Sequence, residues 1–384
     1  MKEARVVVLG SGAAGTAAAL AAHAAGARVT VVRGRTGASA LGSGALDDPG
    51  GADEGAASAA AALGIYALGP CRLATATGVL RSAAGRDLAL ADLAATSGPV
   101  LVARVAHPAW DGDALAASFA ELDARGFVAR DVGLVMRGDE RSLQHVEMAA
   151  LHADPARLAR AAERVREALA AGGSFAAVLL PPWLGVERPR ASDLSALAGV
   201  PCGEVLAPID GPAGVRFERA RDRCLQSAHI DARDGWARRV VESDAGCGVL
   251  LEDETFLECE ALVLATGGLL AGGIDYTPGD AARARAVPPP SRAPFALGYE
   301  SPVSLGRDGH RLVVPGSVFG VAPESLAWPF EDAPALERVG VLVDSRFRAT
   351  ARILACGDAI EGRPRTMLAA LASGAAAGRA AAAT

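Results

Sequence analysis

Aromatic residues are scarce in this sequence, and positive charge is not in excess. Only 4% of its 384 residues are aromatic, and the formal net charge is −6 at pH 7. A surface that binds nucleic acid needs a basic face, because it must neutralise phosphates. The sequence contains no basic stripe with interleaved aromatic residues, so nucleic acid is excluded as an expected partner. Because 51% of the residues are hydrophobic, the cores are expected to consist of Ala, Val and Leu, as in an ordinary α/β protein.

Cysteine is infrequent and unclustered. The six cysteines form no CxxC pair. Zinc sites and iron–sulfur clusters need several closely spaced thiolates, so neither is expected and no metal site is predicted. Scattered thiols in a chain of this length indicate a reducing, cytosolic compartment. The cysteines are Cys71, Cys202, Cys224, Cys247, Cys259 and Cys356.

Long apolar runs are absent as well. No uninterrupted apolar stretch reaches the roughly 18 residues that a membrane-spanning helix needs. The apolar beginning of the chain carries Glu3 beside Lys2 and is broken by Gly10, Gly12 and Gly15, which argues against a signal peptide. We therefore expect a cytoplasmic protein, or one held peripherally at the inner face of a membrane through a partner.

The most informative stretch begins at Arg5. The apolar run Arg5–Leu9 is followed by a glycine-rich turn, an alanine-rich segment of helical length and the β-branched run Arg28–Val32. This order is typical of a βαβ unit that binds a nucleotide phosphate at the helix N-terminus; glycines that serve only packing are the alternative. The first glycine permits the tight turn, the second admits a pyrophosphate and the third lets the helix pack closely on the strand. The predicted cofactor contacts are Gly10, Ser11, Gly12, Ala13, Ala14 and Gly15.

The residue that ends the second strand departs from the usual pattern. NAD and FAD sites carry Asp or Glu there to hold the ribose hydroxyls, whereas this sequence has Arg33. The adenosine end of the cofactor is therefore held differently, carries a phosphate, or is absent. The small and polar residues 34–49 that follow are predicted to wrap the cofactor, with a flexible linker as the alternative. The predicted contacts in this loop are Ser39, Ala40, Ser43 and Gly44.

The rest of the chain alternates strand-like and helix-like segments. Residues 52–93 are expected to be mostly helical, because they are rich in alanine. Ala261–Leu264 runs into Ala-Thr-Gly-Gly and Ile353–Ala355 into Cys-Gly-Asp, as strands do at the cofactor edge of a parallel sheet. Three histidines are expected at the surface or at helix ends, namely His107, His145 and His152.

These segments together resemble a flavoprotein of the two-dinucleotide-binding-domain kind. Such proteins begin with a strand–glycine–helix unit, carry a central strand ending in Ala-Thr-Gly and finish with a strand ending in Gly-Asp before a last helix. Here these are Gly10–Gly15, Ala265–Gly267 and Gly357–Asp358. The resemblance implies that Thr266 and Gly267 contact a flavin, and that Asp358 bonds its ribityl hydroxyls or a phosphate.

The predicted fold class is α/β, with a Rossmann-like doubly wound flavin-binding domain and a second α/β substrate or cap domain. The flavin-binding domain is expected to be discontinuous, over residues 1–75, 214–275 and 336–384. The substrate or cap domain is expected over residues 76–213 and 276–335.

More closely, the sequence is similar to the B subunit of anaerobic glycerol-3-phosphate dehydrogenase. The loop of that family after the second strand is matched by Ser39–Leu41 followed by Ser43–Asp47. Its Leu-Pro-x-x-Leu-Gly turn is matched by Leu180–Gly185. Its Pro-rich piece running into Gly-hydrophobic-Arg is matched by Leu206–Pro212 and Gly214–Arg216.

The resemblance implies a flavin, with FMN favoured and FAD the alternative. It also implies oxidation of sn-glycerol 3-phosphate to dihydroxyacetone phosphate, with electrons passed to quinone through partner subunits, namely a catalytic flavoprotein subunit and an iron–sulfur membrane subunit. FMN would explain Arg33, because FMN has no adenosine ribose. The sequence departs from the family in a shorter loop near Gly42, an abbreviated segment before Ile353, and a last helix without a cysteine-glycine pattern at Thr366–Gly374.

Oxidation of a secondary alcohol needs a hydride acceptor, a base near the hydroxyl and cations for the substrate phosphate. His310 is the predicted base, because it lies among several arginines in a loop-rich stretch. Arg311, Arg363 and Arg365 are the predicted phosphate ligands, since guanidinium groups match phosphate oxygens. Further arginine candidates are Arg283, Arg285, Arg292 and Arg307. Two alternatives remain: a flavin-fold subunit that only relays electrons, and a flavoprotein of the succinate or fumarate type.

Overall fold

A computed structural model of the chain describes residues 4–34, 36–48, 53–244, 246–268 and 340–384, together with the backbone of three further strands. The helices are α1 (Ala13–Ala24), α2 (Glu54–Leu63), α3 (Gly112–Leu122), α4 (His145–Leu151), α5 (Pro155–Ala170), α6 (Ala191–Ala198), α7 (Pro212–Ser227) and α8 (Met367–Ala382). None of these described helices combines the length and the apolar character that crossing a membrane requires.

The strands of the described residues are short. They are β1 (Arg5–Leu9), β2 (Arg28–Arg33), β3 (Ala45–Leu46), β4 (Tyr66–Ala74), β5 (Leu80–Asp87), β6 (Val100–Arg104), β7 (Phe127–Asp131), β8 (Ala177–Leu180), β9 (Cys202–Glu204), β10 (Asp231–Asp234), β11 (Ala237–Ser243), β12 (Gly246–Leu251), β13 (Phe256–Cys259), β14 (Ala261–Leu264), β15 (Ile274–Pro278), β16 (Phe295–Tyr299), β17 (Val313–Gly316) and β18 (Ile353–Ala355). Strands β15 to β17 form an antiparallel sheet of their own.

Contacts within the chain group it into two units. The first unit comprises residues 1–38, 49–59 and 224–384, and the second comprises residues 39–48 and 60–223. Three segments that the sequence assigned to the first domain thus belong to the second unit, namely residues 39–48, 60–75 and 214–223. Residues 39–48 do so because β3 pairs with β5, and residues 60–75 because β4 pairs with β5. Most of the segment 276–335 lies outside the described residues.

A five-stranded parallel sheet forms the centre of the first unit, in the order β10-β2-β1-β14-β18. Val6–Leu9 and Ala261–Leu264 are buried throughout, as expected for apolar strands covered on both faces. From β1 the sheet extends in both directions, to β2 and β10 on one side and to β14 and β18 on the other. The predicted α/β class, with a Rossmann-like doubly wound parallel sheet, is confirmed.

Two kinds of element cover this sheet. Helices α1 and α8 pack on each other and on β1 and β14, while β13 and β12 of the antiparallel sheet β11-β12-β13 contact β1 and β14. The two helices approach closely because Gly374 and Gly378 of α8 face the backbone of Ala14 and Ala18 of α1. A Cβ on either glycine would overlap a carbonyl oxygen of α1.

The second unit contains a four-stranded parallel sheet in the order β7-β6-β8-β9. Helix α3 packs on β6 and β7, and α6 packs on β9. Helix α5 begins at Pro155, because the carboxylate of Asp154 caps the amide of Ala156 at 3.0 Å and proline is favoured at the first helical position. The expected second α/β domain is therefore present.

The segment 52–93 is not mostly helical, and that prediction was wrong. It holds α2, but Tyr66–Ala74 and Leu80–Asp87 form the antiparallel pair β4–β5. The helix propensity of alanine is worth only fractions of a kcal/mol per residue, and pairing between strands overrides it here.

Candidate functional site

The carboxyl ends of β1, β14 and β18 lie side by side at one edge of the first unit's sheet. The register pairs Leu9 with Leu264 and Leu264 with Ala355, which are the last residues of the three strands. The segments that follow leave the sheet at the same edge, next to the point where the strand order reverses. The structure thus brings together the predicted glycine turn, Thr266–Gly267 and Gly357–Asp358.

The first and third glycines of the turn have no room for a side chain. A Cβ on Gly10 would overlap the carbonyl oxygen of Ala265, and a Cβ on Gly15 would overlap that of Gly10. Gly10 also has a φ of 107°, which side chains rarely adopt. Gly12 is the N-cap of α1, and the described first turn of this helix contains no acidic residue. The positive end of the helix dipole therefore favours an anion at this edge.

Asp358 is held at the same edge by three neighbouring elements. The amide of Gly357 donates to Ser373 Oγ of α8 at 3.0 Å. A Cβ on Gly357 would lie 2.6 Å from the Cβ of Ala14 in α1, and a Cβ on Gly268 would lie 3.0 Å from the Cβ of Asp358. Small residues on α1 and after β14 therefore leave the space that the aspartate occupies.

Asp358 and Arg365 bring opposite charges close together at this strand edge. Burial raises the pKa of Asp358, and the positive charge of Arg365 opposes that shift. Nε of Arg365 lies 3.7 Å from the point that a Cβ on Gly268 would take. Arg363 is exposed, and its guanidinium carbon lies 5.2 Å from the ring centre of Phe347, within range of a cation–π contact. Of the two arginines, only Arg365 thus lies beside Asp358.

Among the described residues, no group of three or more His, Cys, Asp or Glu could hold a metal ion.

Several predicted substrate residues are not described by the structure. The predicted base and the remaining arginine candidates lie outside the described residues, namely His310, Arg311, Arg283, Arg285, Arg292 and Arg307.

Arg33 ends β2 beside an acid on the neighbouring strand. Its Nε lies 3.0 Å from Oδ1 of Asp234, its register partner on β10. The ring of Trp236 covers the next residue, since a Cβ on Gly34 would lie 3.1 Å from a ring carbon. The region beyond β2, where adenosine lies in dinucleotide sites, is therefore lined by an ion pair and an indole ring.

The predicted cofactor loop belongs to the second unit. The amide of Ala207 donates to the carbonyl of Ser43 at 3.2 Å. The carbonyl of Ala40 lies directly against Gly214 in the first turn of α7, which has no space for a Cβ. Ser39 precedes Ala40 in a 3-10 turn, and a Cβ on Gly44 would lie 3.0 Å from the Cβ of Asp87. These residues pack on the start of α7 and the end of β5, whereas the glycine turn belongs to the first unit.

Sequence reasoning missed a buried ionic network in the second unit. Arg216 of α7 donates from Nε to Oδ2 of Asp87 at 2.7 Å and from Nη2 to Oε2 of Glu204 at 2.8 Å. Its Nη1 donates to the carbonyl of Gly185 at 2.7 Å. The side chains of all three charged residues are fully buried. The amide of Leu184 also donates to Glu204.

The network places two carboxylates around one guanidinium without contact with water. Burial raises the pKa of Glu204 to about 7; Arg216 opposes the shift and the negative charge of Asp87 adds to it. Burial also raises the pKa of Tyr66, with a further contribution from Asp87. An excess of buried negative charge is costly, so a proton on Glu204 relieves the network near neutral pH.

The network joins the segments that carry the family resemblance. Leu180–Gly185 supplies the carbonyl of Gly185, and Gly214–Arg216 supplies the guanidinium. The loop Ser43–Asp47 packs at Gly44 on Asp87, the third member. The signal in the sequence was an arginine directly after Gly-Val at the start of a helix, but nothing there named its partners.

The ring of Trp183 lies close to three histidines of the second unit, namely His107, His145 and His152. Its Nε1 donates to Nδ1 of His145 at 2.9 Å, and its ring centre lies 5.1 Å from that of His107 in an edge-on contact. His107 is buried in the segment between β6 and α3, so the expectation of a surface or helix-end position was wrong for it. His152 is buried as well, but it is the C-cap of α4, so the expectation of a helix-end position is confirmed for it. Each has a hydrogen bond to a backbone carbonyl, His107 to Leu143 and His152 to that of the residue four before it. They are core residues of the segment after β6 and of α4.

Comparison with known proteins leaves the family open. No protein-family model matches the chain, and no curated protein matches it in sequence. Among solved structures, CtdE in complex with FAD is 11% identical, with 97% of this chain and 83% of CtdE covered and a TM-score of 0.35. Thioredoxin reductase from Streptococcus pyogenes MGAS5005 is 10% identical, with 98% and 97% covered and a TM-score of 0.33.

A third similar structure is the peptidyl tryptophan dihydroxylase QhpG. It is 15% identical, covers 94% of this chain and has a TM-score of 0.29. The chain spans 61% of the length of QhpG. Scores this low assign neither a family nor an activity, so both have to follow from the chain's own residues.

Proposed function

We propose that this chain is a flavin-dependent oxidoreductase, or one subunit of such an enzyme, that oxidises sn-glycerol 3-phosphate to dihydroxyacetone phosphate. The observation that carries the proposal is the meeting of the glycine turn, Thr266–Gly268 and Gly357–Asp358 at one edge of a parallel sheet. A helix N-terminus suits a phosphate, and a half-buried carboxyl group suits a chain of hydroxyls. A flavin mononucleotide carries both a phosphate and a chain of ribityl hydroxyls.

The residues at this edge fit the cofactor in distinct roles. Gly12 and the first amides of α1 would hold the phosphate, because Gly10 and Gly15 hold the backbone close to the strand end. Asp358 would accept hydrogen bonds from ribityl hydroxyls, since its half-buried carboxyl group lies at the same strand edge. The flavin supplies the hydride acceptor when it is bound.

FMN is favoured over FAD by the surroundings of Arg33. An adenosine ribose would need an acceptor at the end of β2, where Arg33 is ion-paired with Asp234. The indole ring of Trp236 lies over Gly34, where the chain continues past the strand. A cofactor that ends at its phosphate needs no acceptor at this strand end, and on this ground we propose FMN.

The substrate is proposed from the family resemblance. Segments that carry this resemblance meet in this chain around Arg216, Asp87 and Glu204, and this shared location supports treating the matches as one feature. On the same ground we propose that electrons pass to quinone through a catalytic flavoprotein subunit and an iron–sulfur membrane subunit. Such a complex would hold the chain peripherally at the inner face of a membrane.

A flavin analysis followed by anaerobic reduction tests this proposal. The purified chain is expected to carry FMN, identified by chromatography after acid release. Sn-glycerol 3-phosphate is expected to bleach its visible absorbance, in the isolated chain or in the complex assembled with its partner subunits. Sn-glycerol 1-phosphate and succinate serve as matched controls.

Each failure of this experiment has a separate meaning. A chain that neither carries nor takes up FMN or FAD would refute the cofactor. A flavin bleached by succinate but not by glycerol 3-phosphate would refute the substrate. A flavin reduced only through a partner's own site would assign this chain to electron relay.

Replacing Asp358 by asparagine is expected to raise the stability of the flavin-free protein while weakening flavin binding. The raised pKa of Asp358 means that its ionised form costs stability as pH rises above the ordinary range of a carboxyl group. The gain should therefore appear at neutral pH and vanish in acid, in thermal unfolding measured across pH. Loss of charge-assisted hydrogen bonds should weaken FMN binding by roughly tenfold or more.

The matched control is Asp344→Asn, at a surface carboxylate of the same unit. Asp344 accepts hydrogen bonds from the amides of Arg346 and Arg348, both at 2.8 Å, and lies outside the proposed site. It should lower stability slightly and leave FMN affinity unchanged. Equal FMN affinity in the Asp358→Asn variant and the parent would contradict the assigned role.

A further inference from the structure

Two cysteines of the first unit face each other across adjacent strands. Cys247 of β12 and Cys259 of β13 are direct register partners, and their Sγ atoms are 3.2 Å apart. Both are free thiols buried in the core under the parallel sheet. The sequence gives no hint of this pair, because eleven residues separate the two cysteines and no CxxC motif is present.

The backbone already has the spacing that a disulfide needs. Directly opposed residues of an antiparallel pair have Cα atoms about 4.5 to 5.5 Å apart. That range lies inside the roughly 4.4 to 6.8 Å that disulfides span. The bond can therefore form by rotation of two side chains, without a shift of either strand.

The two sulfur atoms are not equivalent. A hydrogen bond from Cys259 lowers the pKa of Cys247, and the same contact, together with burial, raises the pKa of Cys259. Cys247 is therefore the thiol that ionises first and attacks, and Cys259 is the resolving thiol.

Access is given by the position of the pair in the sheet. Cys247 is the second residue of β12 and Cys259 is the last residue of β13, so they form the end of the described ladder between these strands. Their exposed fractions are 7% and 3%. Access of glutathione disulfide therefore requires local opening of this terminal pair and not of the central pairs of the ladder.

We propose that Cys247 and Cys259 form a reversible intramolecular disulfide, with a low-molecular-weight disulfide such as oxidised glutathione as the oxidant. The thiolate of Cys247 attacks one sulfur of glutathione disulfide, forming a mixed disulfide and releasing one glutathione thiolate. The thiolate of Cys259 then attacks the Cys247 sulfur, forming the protein disulfide and releasing the second glutathione. Two protein thiols are oxidised and one glutathione disulfide is reduced to two thiols, so atoms and electrons balance.

The cysteine pair lies next to the strand β11 residue that binds the segment before β18. Glu242, the partner of Cys247 on β11, accepts hydrogen bonds from Thr350 Oγ1 at 2.8 Å and from the amide of Arg352 at 3.0 Å. Arg352 directly precedes β18. The disulfide therefore fixes the sheet end on which this segment rests, at the amino end of β18 and away from Asp358.

Equilibration of the purified full chain with defined glutathione mixtures tests the proposal. After acid quenching, alkylation and digestion, mass spectrometry is expected to find one cross-linked peptide that joins Cys247 to Cys259 and has lost two hydrogen atoms. Dithiothreitol should reverse it. The other four cysteines should remain alkylated, and the oxidised chain should unfold at a higher temperature than the reduced chain.

The conservative variants Cys247→Ala and Cys259→Ala are the controls. In Cys247→Ala, the glutathione mixtures should leave the unfolding temperature unchanged. In Cys259→Ala, glutathione should stay attached to Cys247 and no disulfide within the protein should form. Alkylation of both cysteines at every mixture, or glutathione that stays attached to Cys247 in the parent chain, would overturn the proposal. This outcome is independent of flavin content, so it does not depend on the proposed function.

Discussion

Replacing Arg216 by methionine is expected to destabilise the second unit by about 3–5 kcal/mol, because removal of one partner leaves buried charge uncompensated. Asp87 and Glu204 would lose their counter-charge, and the carbonyl of Gly185 would lose its donor. The side chains of these charged residues have no contact with water, so solvent cannot replace the guanidinium. Urea unfolding followed by circular dichroism measures the loss.

The pH dependence of this variant gives the prediction a second readout. Without Arg216, both carboxylates should bind protons more tightly when folded than when unfolded. Stability should therefore be recovered in acid and lost as pH rises. In the parent chain the same sign applies to Glu204, whose pKa is raised to about 7, so its contribution is lost as pH rises from the ordinary range through neutrality.

Two further variants separate charge from packing. Glu204→Gln removes the titrating group, so it should abolish the loss of stability between acid and neutral pH at a cost of about 1 kcal/mol. The triple variant Arg216→Met, Asp87→Asn, Glu204→Gln contains no buried charge at these positions and should recover most of the stability. An Arg216→Met variant as stable as the parent at neutral pH would show that the network is dispensable.

The sequence predicts the elements of the first unit whose signal is local. Arg5–Leu9 and Ala261–Leu264 are continuous apolar runs that end in glycine, and each reads as a buried parallel strand. Their meeting with Gly357–Asp358 follows from the rule that carboxyl ends of parallel strands share an edge. This is why the candidate flavin edge could be proposed before its geometry was known.

The buried contacts of the second unit could not be predicted from local sequence patterns. Arginine is almost never fully buried, so a general rule places Arg216 at the surface. Its partners at positions 87, 185 and 204 come from three different elements, and no local pattern pairs them. The packing of Ala40 on Gly214 is likewise long-range, so the contact of the loop after β2 with the start of α7 could not be predicted from the sequence.

Replacing Gly374 by valine is expected to destabilise the first unit by about 3 kcal/mol and to abolish flavin binding. Its Cβ would overlap the carbonyl oxygen of Ala14 and lie 2.9 Å from both the carbonyl carbon and Cα of that residue. Main-chain atoms cannot move aside as a flexible side chain can. The two helices would have to separate, and thermal unfolding together with FMN titration would report both effects.

The reason for a double effect is the position of Ala14. It lies in the first turn of α1, within the glycine turn that is proposed to hold the phosphate, and its Cβ also faces Gly357. Displacement of this turn would therefore move the phosphate site and the neighbour of Asp358 together. Gly378→Val, which meets the carbonyl of Ala18 one turn later, should cost similar stability but affect FMN less.

A Gly37→Val variant separates the effect of steric overlap at Gly374 from the general effect of replacing glycine by valine. Nothing lies within 4 Å of a Cβ on Gly37, so this variant should unfold close to the parent. Valine is a better helix former than glycine, so propensity alone would make Gly374→Val more stable rather than less. Equal stability of the Gly374 and Gly37 variants would mean that the helices do not approach as closely as the glycine contacts require, and the phosphate site would then lack the support of α8.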